Sequence, residues 1–540
     1  MCAPTKRITM TKTRLAFFLS VGIGVLLLAS LGQAQTYTDL HDLLQTTGSV
    51  PETPNLLGQG QDGNFYSTMP SSFPGQGTTV VVSPAGALTA THFFQGTDGS
   101  EPLSGLTLGM DGNLYGTTAI HNTAGYGEVF KVSPAGAVTV LYNFTNTTDG
   151  GAPWAPPIQA SDGNLYGVTQ GSVPVAYKIT MPAATFSVLA NLPGPSTAPL
   201  IVGSDGNFYG TSTYGGTSNH GTVFQLTRKG VLKILYNFGA GASDGTTPQG
   251  AVMQGADGKL YGTTTWGGSL GQGTVFQLTP TGAYKILHNF TGTPDGTNPP
   301  VGLVQGSDNF LYGVTSAGGA SGHGTFFKLN TTGTTYSVIH DFDGKTSGGA
   351  PLSAPTIHTN GIIYGWASVG PAEGCFYSMN VGLKPFASLV VLTAGKVGTK
   401  VGILGQGFST ATSVKFGNGP GTFTVVSDTY MTAAPAAGAT TGKVTIVESG
   451  GNLVSAQKFK VIPSIKTFSP TSGPVGTPVV ITGMSLSQTT SVKFGTITAS
   501  FTVNSDTQVT ATVPAGAVTA KISITTPGGT AVSATNFTVN

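Results

Sequence analysis

A short phrase that joins an Asp-Gly turn to a tyrosine returns seven times, and it constrains the fold more than any other feature of the chain. It reads DGNFY at residues 62–66, DGNLYG at 111–116 and 162–167, DGNFYG at 205–210, and DGKLYG at 257–262. Two altered copies follow, DNFLYG at 308–313 and NGIIYG at 360–365. Consecutive tyrosines lie 43 to 52 residues apart. A period near 50 residues indicates a solenoid, a propeller or an array.

The fullest copy, residues 247–290, predicts four short strands. The runs KLYGTTT, GTVFQLT and AYKILHNF follow a first apolar run, PQGAVMQG. Asp-Gly between two apolar runs is a strong hairpin signal, and the Pro-x-Gly phrases predict a second turn. Four antiparallel strands in about 50 residues are typical of a propeller blade. We therefore predict an all-β protein with a seven-bladed β-propeller over residues 35–384.

The ring must close, and the sequence offers two closing strands. Residues 36–43 resemble the fourth strand of other repeats, whereas the last repeat has three clear strands that end at 375–379. We expect residues 36–43 to pair with that third strand, which leaves no open edge between the last and first blades. Residues 384–390 are the competing candidate.

A different repeat begins near residue 385. VGTKVGILGQGF at 397–408 returns as VGTPVVITGMSL at 475–486, and TSVKFG recurs with the same offset of 78 residues. Alternating apolar and polar runs broken by glycine and proline predict antiparallel sandwiches. We assign them to residues 385–462 and 463–540, and the short junction predicts that they stand in a fixed line.

The N-terminus has the features of a secretory signal peptide at residues 1–34. A basic segment precedes an apolar run at 16–30, and Gly-Gln-Ala at 32–34 fits a cleavage site. The alternative is an uncleaved anchor, because residues 15–31 have the lower length limit of a spanning helix. We expect an exported protein at the cell surface, in the periplasm or outside the cell, with no integral membrane segment after cleavage.

Charge excludes two classes of partner. Only 8% of the residues are charged, against roughly 25% in an average soluble protein. Loss of residues 1–34 changes the net charge from +2 to −2, and no basic run is present. Nucleic-acid binding and electrostatic membrane docking are therefore not expected. Cys375 is the only cysteine of the mature chain, so no internal disulfide can form. We also expect the protein to be a monomer.

The C-terminal units resemble IPT/TIG domains, which are immunoglobulin-like modules. The resemblance rests on SPTSGPVGTPVVITG at 469–483, SVKFG at 491–495 and TNFTV at 535–539, and the copy at 385–462 lacks the SPTSGP phrase. The N-terminal units are similar to GloVer tandem repeats of exported bacterial proteins through DGNLYGTT, GTVFQLT and ILYNF. The second resemblance implies export and a repeat fold, and it transfers no functional residues.

Two sets of aspartates have a possible metal interpretation and a structural one. Asp-Gly turns in repeats are places where calcium binds in some proteins. However, one carboxylate every 50 residues does not build a calcium cage, so we favour turn chemistry. The same interpretation covers the aspartates of the blade-to-blade loops. We predict no metal, no cofactor, and positive φ at Gly112, Gly163, Gly206 and Gly258. The turn aspartates are Asp62, Asp111, Asp162, Asp205 and Asp257, and the loop aspartates are Asp98, Asp149, Asp244 and Asp295.

Catalytic motifs are lacking. The eight histidines have no metal spacing, and no HExxH, GxSxG, Walker-type loop or clustered carboxylate pair occurs. His220 and His323 share a repeat position with Tyr126 and Gln272, as is typical of a loop surface. We predict no catalytic residue.

The aromatic residues are the candidate binding residues. In a four-stranded blade, the loop between strands two and three shares one face with the loops between blades. Tyr214 and Trp266 lie in two-to-three loops at one offset from the repeat tyrosine, Trp154 lies in a blade-to-blade loop, and Trp366 lies near the end of a second strand. We expect all four on one rim, opposite the Asp-Gly turns, where exposed rings suit stacking on sugars. The alternative is that they cap the blade cores.

Three functions remain open. The favoured one is non-catalytic binding or adhesion to an extracellular polysaccharide or a surface protein, with the propeller as the recognition head and the sandwiches as a spacer. The second is a carbohydrate-active enzyme with its site on the propeller rim. The third is a purely structural surface protein.

Overall fold

In the computed structural model of the chain, the described residues are 35–43, 56–70, 76–120, 125–370 and 374–540. The signal peptide assigned to residues 1–34 therefore lies outside the described residues. Residues 35–540 belong to one compact unit. Apart from one 3₁₀ turn, the regular elements of the described chain are β-strands, which confirms the predicted all-β class.

Seven small antiparallel sheets form the seven-bladed propeller. The first strand of each blade has only two residues, and the second and third strands are buried along most of their length. The strands are, in chain order, β1 (Thr36–Asp42), β2 (Gly58–Gln59), β3 (Phe65–Met69), β4 (Thr78–Val82), β5 (Leu88–Phe93), β6 (Thr107–Leu108), β7 (Leu114–Thr118), β8 (Glu128–Val132), β9 (Val138–Asn143), β10 (Ile158–Gln159), β11 (Leu165–Val168), β12 (Val175–Thr180), β13 (Thr185–Asn191), β14 (Ile201–Val202), β15 (Phe208–Ser212), β16 (Thr222–Leu226), β17 (Leu232–Asn237), β18 (Gly245–Thr246), β19 (Met253–Gln254), β20 (Leu260–Thr264), β21 (Trp266–Gly267), β22 (Thr274–Leu278), β23 (Tyr284–Asn289), β24 (Val304–Gln305), β25 (Phe310–Thr315), β26 (Thr325–Asn330), β27 (Tyr336–Asp341), β28 (Gly349–Pro351), β29 (Thr356–Ile357), β30 (Ile363–Val369) and β31 (Cys375–Asn380).

In four blades, the glycine after the repeat tyrosine makes room for a phenylalanine of the third strand, and in the third and seventh blades it makes room for a tyrosine. Gly262 pairs with Phe276 across β20 and β22, and a Cβ on Gly262 would come 2.6 Å from the Phe276 ring. Gly210 has the same relationship with Phe224. The phrases LYG and TVF are therefore two halves of one packing contact, and the rings fill the cores between neighbouring blades.

The N-terminal strand closes the ring as predicted. β1 pairs antiparallel with β31, with Tyr37 opposite Met379. The Tyr37 ring stacks on His340 of the sixth blade at a centroid distance of 4.0 Å. The same contact joins other blades, since Tyr284 stacks on Tyr236 at 3.9 Å. The competing segment does not close the ring, because β32 within it pairs in the first sandwich.

Glutamines of the short first strands tie neighbouring blades together. The Gln159 side-chain oxygen accepts a hydrogen bond of 2.7 Å from the Met110 backbone N–H, one residue before the Asp-Gly turn of the preceding blade. Gln254 and Gln305 make the same bond to Ser204 and Ala256. Gln59 makes it to Thr359, across the junction between the last and first blades. The junction between the last and first blades therefore has the same glutamine hydrogen bond as the junctions between consecutive blades.

Two sandwiches follow the propeller. In the first, eight strands connected by pairing surround one apolar core, and in the second, two sheets of four and five strands enclose another. Their elements are β32 (Ser388–Val390), β33 (Ala394–Gly395), β34 (Val401–Leu404), the 3₁₀ turn (Phe408–Thr410), β35 (Ser413–Phe416), β36 (Gly419–Val425), β37 (Tyr430–Pro435), β38 (Gly442–Glu448), β39 (Gly451–Val461), β40 (Ser464–Ser469), β41 (Ser472–Gly473), β42 (Pro478–Met484), β43 (Ser491–Phe494), β44 (Ile497–Ala499), β45 (Phe501–Ser505), β46 (Gln508–Thr512), β47 (Ala520–Thr526) and β48 (Gly529–Val539).

The first sandwich docks on the Asp-Gly turns of the propeller. The Thr429 hydroxyl donates a hydrogen bond of 2.7 Å to the Gln61 carbonyl in the first blade. The Gln406 side-chain amide donates one of 2.9 Å to the Thr359 hydroxyl in the seventh. Leu108 of the second blade packs against Val390 and its neighbours in the sandwich. A cavity of about 240 Å³ lies within this junction. The sandwich therefore contacts both sides of the closing junction.

Candidate functional site

The aspartate of the repeated phrase is a hydrogen-bond acceptor for its own turn and strand. Asp205 Oδ1 accepts the Asn207 backbone N–H at 3.1 Å, and Oδ2 accepts the Tyr209 hydroxyl at 2.8 Å. Each of the six aspartate copies accepts its tyrosine hydroxyl, and in the seventh, Asn360 donates to the Tyr364 oxygen at 3.0 Å. The aspartate pairs are Asp62–Tyr66, Asp111–Tyr115, Asp162–Tyr166, Asp205–Tyr209, Asp257–Tyr261 and Asp308–Tyr312.

These contacts fix the protonation of the pair. Burial opposes ionisation of Asp205, but the hydrogen bonds from Tyr209 and Asn207 outweigh it and lower the pKa of Asp205. Burial and the hydrogen bond to Asp205 raise the pKa of Tyr209 to about 12. At neutral pH, an ionised carboxylate is therefore held by a neutral phenol. The carboxylate thus joins the turn to the second strand that follows it.

The predicted turn geometry is confirmed. Gly112, Gly163, Gly206 and Gly258 have φ values of +78°, +82°, +84° and +82°. Among the described residues, no group of three or more His, Cys, Asp or Glu side chains converges as a metal site.

The aspartates of the blade-to-blade loops bind the fourth strand of their own blade. Asp149 accepts the Tyr142 hydroxyl at 2.9 Å, and Asp244 accepts that of Tyr236 at 2.9 Å. Asp98 Oδ2 lies 2.7 Å from His92 Nε2, and Asp295 Oδ2 lies 2.9 Å from His288 Nε2. Asp149 and Asp244 are buried. The loop aspartates therefore also hold their own blade together, each by joining a loop to the fourth strand before it.

The strand order divides the propeller into two faces. The turn face is formed by the Asp-Gly turns and the turns between third and fourth strands. The loop face is formed by the two-to-three loops, such as residues 213–221 and 265–273, and by the loops between blades. β18 of a blade-to-blade loop pairs with β21 of a two-to-three loop, so these loops lie together, opposite the docked sandwich.

The four aromatic candidates have different environments. Tyr214 and Trp266 are 50% and 48% exposed on the loop face. Trp154 lies half-buried in a loop that is anchored where the Thr117 hydroxyl donates to the Pro153 carbonyl at 2.6 Å. Trp366 is 0% exposed, which corrects the expectation of a rim position. Because its strand continues to Val369, Trp366 lies inside the strand and not in the loop. Its ring packs in the core between the seventh and first blades, with its centroid 4.7 Å from that of Phe376.

Tyr214 and Trp266 occupy the fifth position after the repeat tyrosine, which we call the rim slot. The slot residues of four blades each pair with the preceding blade-to-blade loop: Ile120 with Ser100, Trp266 with Thr246, Ala317 with Thr297, and Val369 with Gly349. In the fourth blade, a Cβ on Gly194 would clash with the Tyr214 carbonyl. The backbone of these five slots therefore lies against a neighbouring loop.

Sequence reasoning missed further exposed apolar residues of this face. Val369 lies in the rim slot of the seventh blade, and Tyr126, Val173 and Leu270 lie in the two-to-three loops of the second, third and fifth blades. The signal that identifies them is the occurrence of a large apolar residue in loops made otherwise of Gly, Ser, Thr and Asn.

The two faces also differ in charge. Among the described residues, the loops of the loop face carry Lys345 as their one lysine or arginine, beside carboxylates such as Glu101 and Asp343. The other propeller cations, from 35 to 380, lie on third or fourth strands or in turns of the turn face: Lys131, Lys178, Arg228, Lys229, Lys233, Lys259, Lys285 and Lys328. The loop face therefore does not attract anions.

Comparison with protein families covers the propeller repeats and both sandwiches. The sequence model of the Gloeobacter/Verrucomicrobia repeat matches residues 51–252 and 173–379, which is more than half of the chain. The chain belongs to the Gloeobacter/Verrucomicrobia repeat family. The IPT/TIG domain matches residues 385–461 and 463–539, so both resemblances seen in the sequence are confirmed.

The comparison with curated proteins found no match, and the similar solved structures are distant. An oligogalacturonate lyase from Vibrio parahaemolyticus is 11% identical with a TM-score of 0.45, and the alignment covers 64% of this chain and 93% of that one. A fungal alcohol oxidase in complex with copper is 13% identical with a TM-score of 0.41, over 93% and 99% of the two chains. A surface glycan-binding protein from Prevotella bryantii is 16% identical with a TM-score of 0.23, over 27% and 38%. We draw no function from resemblances this distant.

Proposed function

We propose that this chain is an exported, non-catalytic binding or adhesion protein whose loop face is the recognition surface. The sandwiches act as the spacer that carries the propeller. We assign the signal peptide to residues 1–34, the propeller to 35–384 and the sandwiches to 385–462 and 463–540. Among the described residues, no helix is long and apolar enough to cross a membrane.

One observation carries the proposal: the two propeller faces are used differently. The first sandwich occupies the turn face near the closing junction through Gln406 and Thr429. The loop face instead holds half-exposed rings at Tyr214 and Trp266, with exposed apolar neighbours such as Leu270. Exposed aromatic residues among small polar ones are typical of recognition surfaces.

The anchoring of these rings supports the same function. Trp266 pairs with Thr246 of the neighbouring loop, and the Thr213 N–H beside Tyr214 donates to the Pro195 carbonyl at 2.8 Å. Little loop ordering therefore remains when a ligand binds. A structural protein has no need of a pre-ordered, exposed tyrosine and tryptophan on adjacent blades. The buried Trp366 shows where the fold puts a tryptophan that serves only packing.

The test is binding of the labelled mature protein to intact cells of the producing organism and to a glycan array. We expect saturable binding that the double variant Tyr214→Ala/Trp266→Ala loses. The matched control is Val231→Ala/Val518→Ala, because both valines are exposed and lie away from the loop face. Absence of binding to cells and glycans, or equal binding by both double variants, would contradict the proposal.

A further inference from the structure

We propose that the loop face of the fourth and fifth blades binds an uncharged polysaccharide chain that spans Tyr214 and Trp266. This inference rests on the proposed function and adds the chemical class of the ligand. It follows from three properties of this part of the loop face: two rings on one repeated scaffold, the absence of cationic partners, and the separation of the blades.

The two rings are mounted on the same loop scaffold. Each is followed by two glycines with positive φ, +83° and +76° at Gly215 and Gly216, and +79° at both Gly267 and Gly268. An asparagine at the end of the fourth strand then holds the loop. Asn237 Oδ1 accepts the Thr217 backbone N–H at 3.1 Å, and Asn289 Oδ1 accepts that of Ser269 at 2.9 Å. Repetition of the scaffold therefore presents the two rings in the same way on neighbouring blades.

The third copy of the scaffold has no ring. In the sixth blade, Asp341 takes the place of the asparagine and accepts the Ala320 backbone N–H at 2.7 Å. The rim slot there is Ala317. The fold thus supplies an internal comparison, in which one position carries tyrosine, tryptophan or alanine on otherwise similar loops.

The surroundings of the rings favour a neutral ligand with many hydroxyl groups. The loops at 213–221 and 265–273 contain no Lys, Arg, Asp or Glu, and their polar residues include Ser218, Asn219 and Gln272. Hydroxyl and amide groups both donate and accept, as sugar hydroxyls do. Anionic polymers need cations for recognition, and the loops of the fourth and fifth blades offer none on this face. The rings suit the apolar faces of sugar rings.

The separation of the blades favours a chain over a single sugar. Sheets that pack face to face lie about 10 Å apart, so slot residues of adjacent blades are separated by roughly that distance. One sugar ring does not contact both side chains. A ligand that uses Tyr214 and Trp266 together must therefore be an oligomer or a polymer.

The test measures affinity by electrophoresis of the mature protein through gels that contain an uncharged glucan or an acidic uronan. We expect retardation by the glucan and none by the uronan. Calorimetry with neutral oligosaccharides of increasing length should show affinity that rises until the chain spans both rings. Trp266→Ala and Tyr214→Ala should each weaken binding roughly tenfold or more, with an unchanged melting temperature that shows an intact fold.

A gain-of-function variant makes the test sharper. Ala317→Trp adds a ring at the third copy of the scaffold, and we expect it to strengthen binding of long oligosaccharides and leave short ones unchanged. Val518→Ala is the control. Preference for the uronan, or binding to a surface protein that depends on Trp266, would overturn this inference and leave the proposed function standing. Absence of any ligand for the loop face would overturn both.

Discussion

The hydroxyl of Tyr115 donates a hydrogen bond of 3.0 Å to Oδ2 of Asp111, four residues earlier in the chain. The same carboxylate accepts the Asn113 backbone N–H at 3.1 Å and its side-chain amide at 2.7 Å. One aspartate thus fixes a turn and the second strand that leaves it. This explains why the repeated phrase keeps its spacing from aspartate to tyrosine in a chain whose loops vary.

The first prediction concerns this pair. We expect Asp111→Ala to lower the free energy of unfolding by about 1–3 kcal/mol, because the buried Tyr115 hydroxyl loses its acceptor. Asp111→Asn should cost less than about 1 kcal/mol. The seventh blade already uses asparagine in this way, with Asn360 accepting the Ile362 backbone N–H at 2.9 Å. Chemical denaturation of the two variants measures the difference, and equal losses would contradict the hydrogen-bond explanation.

The second prediction separates backbone strain from crowding. Gly206 has a φ of +84° and open space where a Cβ would lie, whereas Gly241 has the same open space and no positive φ. We expect Gly206→Val to lower the free energy of unfolding by about 1–3 kcal/mol. Gly241→Val should be nearly neutral. Calcium should raise the melting temperature of neither the wild type nor these variants, and a rise of several degrees would identify the turn aspartates as ligands.

The third prediction concerns ring closure. Tyr37 stacks on His340, and its hydroxyl donates to the Ser347 carbonyl at 2.6 Å. Tyr37→Ala should lower the free energy of unfolding by about 2–4 kcal/mol through lost packing and one lost hydrogen bond. The exposed Thr38 on the same strand supplies the control Thr38→Ala, which should be nearly neutral. Deletion of residues 35–45 should lower the melting temperature more than either substitution, because it exposes the edge of β31.

Local chemistry explains how much of this fold the sequence predicts. The blade count follows from the spacing of the tyrosines, and the hairpins follow from Asp-Gly and Pro-x-Gly turns. The closing strand is recognisable because Tyr37 has the pattern of other fourth strands, and the structure gives it their ring contact with the neighbouring blade.

Contacts between distant parts of the chain explain what was missed. In the sequence, Trp366 resembles a rim residue because it lies near the predicted end of a second strand. Its burial depends instead on packing against Phe376 and the first blade. The docking of the first sandwich depends on single side chains that reach backbone groups of the turn face, such as Thr429 on Gln61. No local sequence pattern predicts such a contact.

The fourth prediction concerns a buried carboxyl group. Glu128 is buried at the start of β8, and its Oε2 has no hydrogen-bond partner among the described residues. Burial first, and then the charge of Asp98, raise the pKa of Glu128 to about 7. A raised pKa in the folded state means that the protonated form is favoured by folding. Stability is therefore full below the ordinary carboxyl range and is lost as the pH rises through about 7.

We expect the wild type to lose on the order of 1–3 kcal/mol of unfolding free energy between about pH 5 and pH 8 through this group. Glu128→Thr should remove that part of the pH dependence. Threonine occupies the matching position in the fifth blade, where the Thr264 and Thr274 hydroxyls are hydrogen-bonded at 2.8 Å, and Thr118 is the cross-strand neighbour in the second blade. Denaturation curves across this pH range measure the effect, and parallel profiles for the two proteins would contradict it.

The fifth prediction concerns the attachment of the first sandwich to the turn face. The Thr429 hydroxyl donates to the Gln61 carbonyl, and Gln406 donates to Thr359, on the two sides of the closing junction. We expect the double variant Gln406→Ala/Thr429→Ala to increase amide hydrogen exchange in residues 61–63 and 359–361. Loss of these bonds should cost the junction about 1–3 kcal/mol.

The second sandwich supplies the matched control. Thr507 repeats the local geometry of Thr429, since its backbone N–H bonds to the Ser505 hydroxyl at 3.1 Å as that of Thr429 does to Ser427 at 3.3 Å. The repeat offset of 78 residues relates the two threonines, but the hydroxyl of Thr507 bonds to Ser505 within its own sandwich. Thr507→Ala should therefore leave exchange in the propeller turns unchanged. Equal exchange in the wild type and the double variant would mean that the apolar contact of Leu108 with Val390 holds the sandwich without these hydrogen bonds.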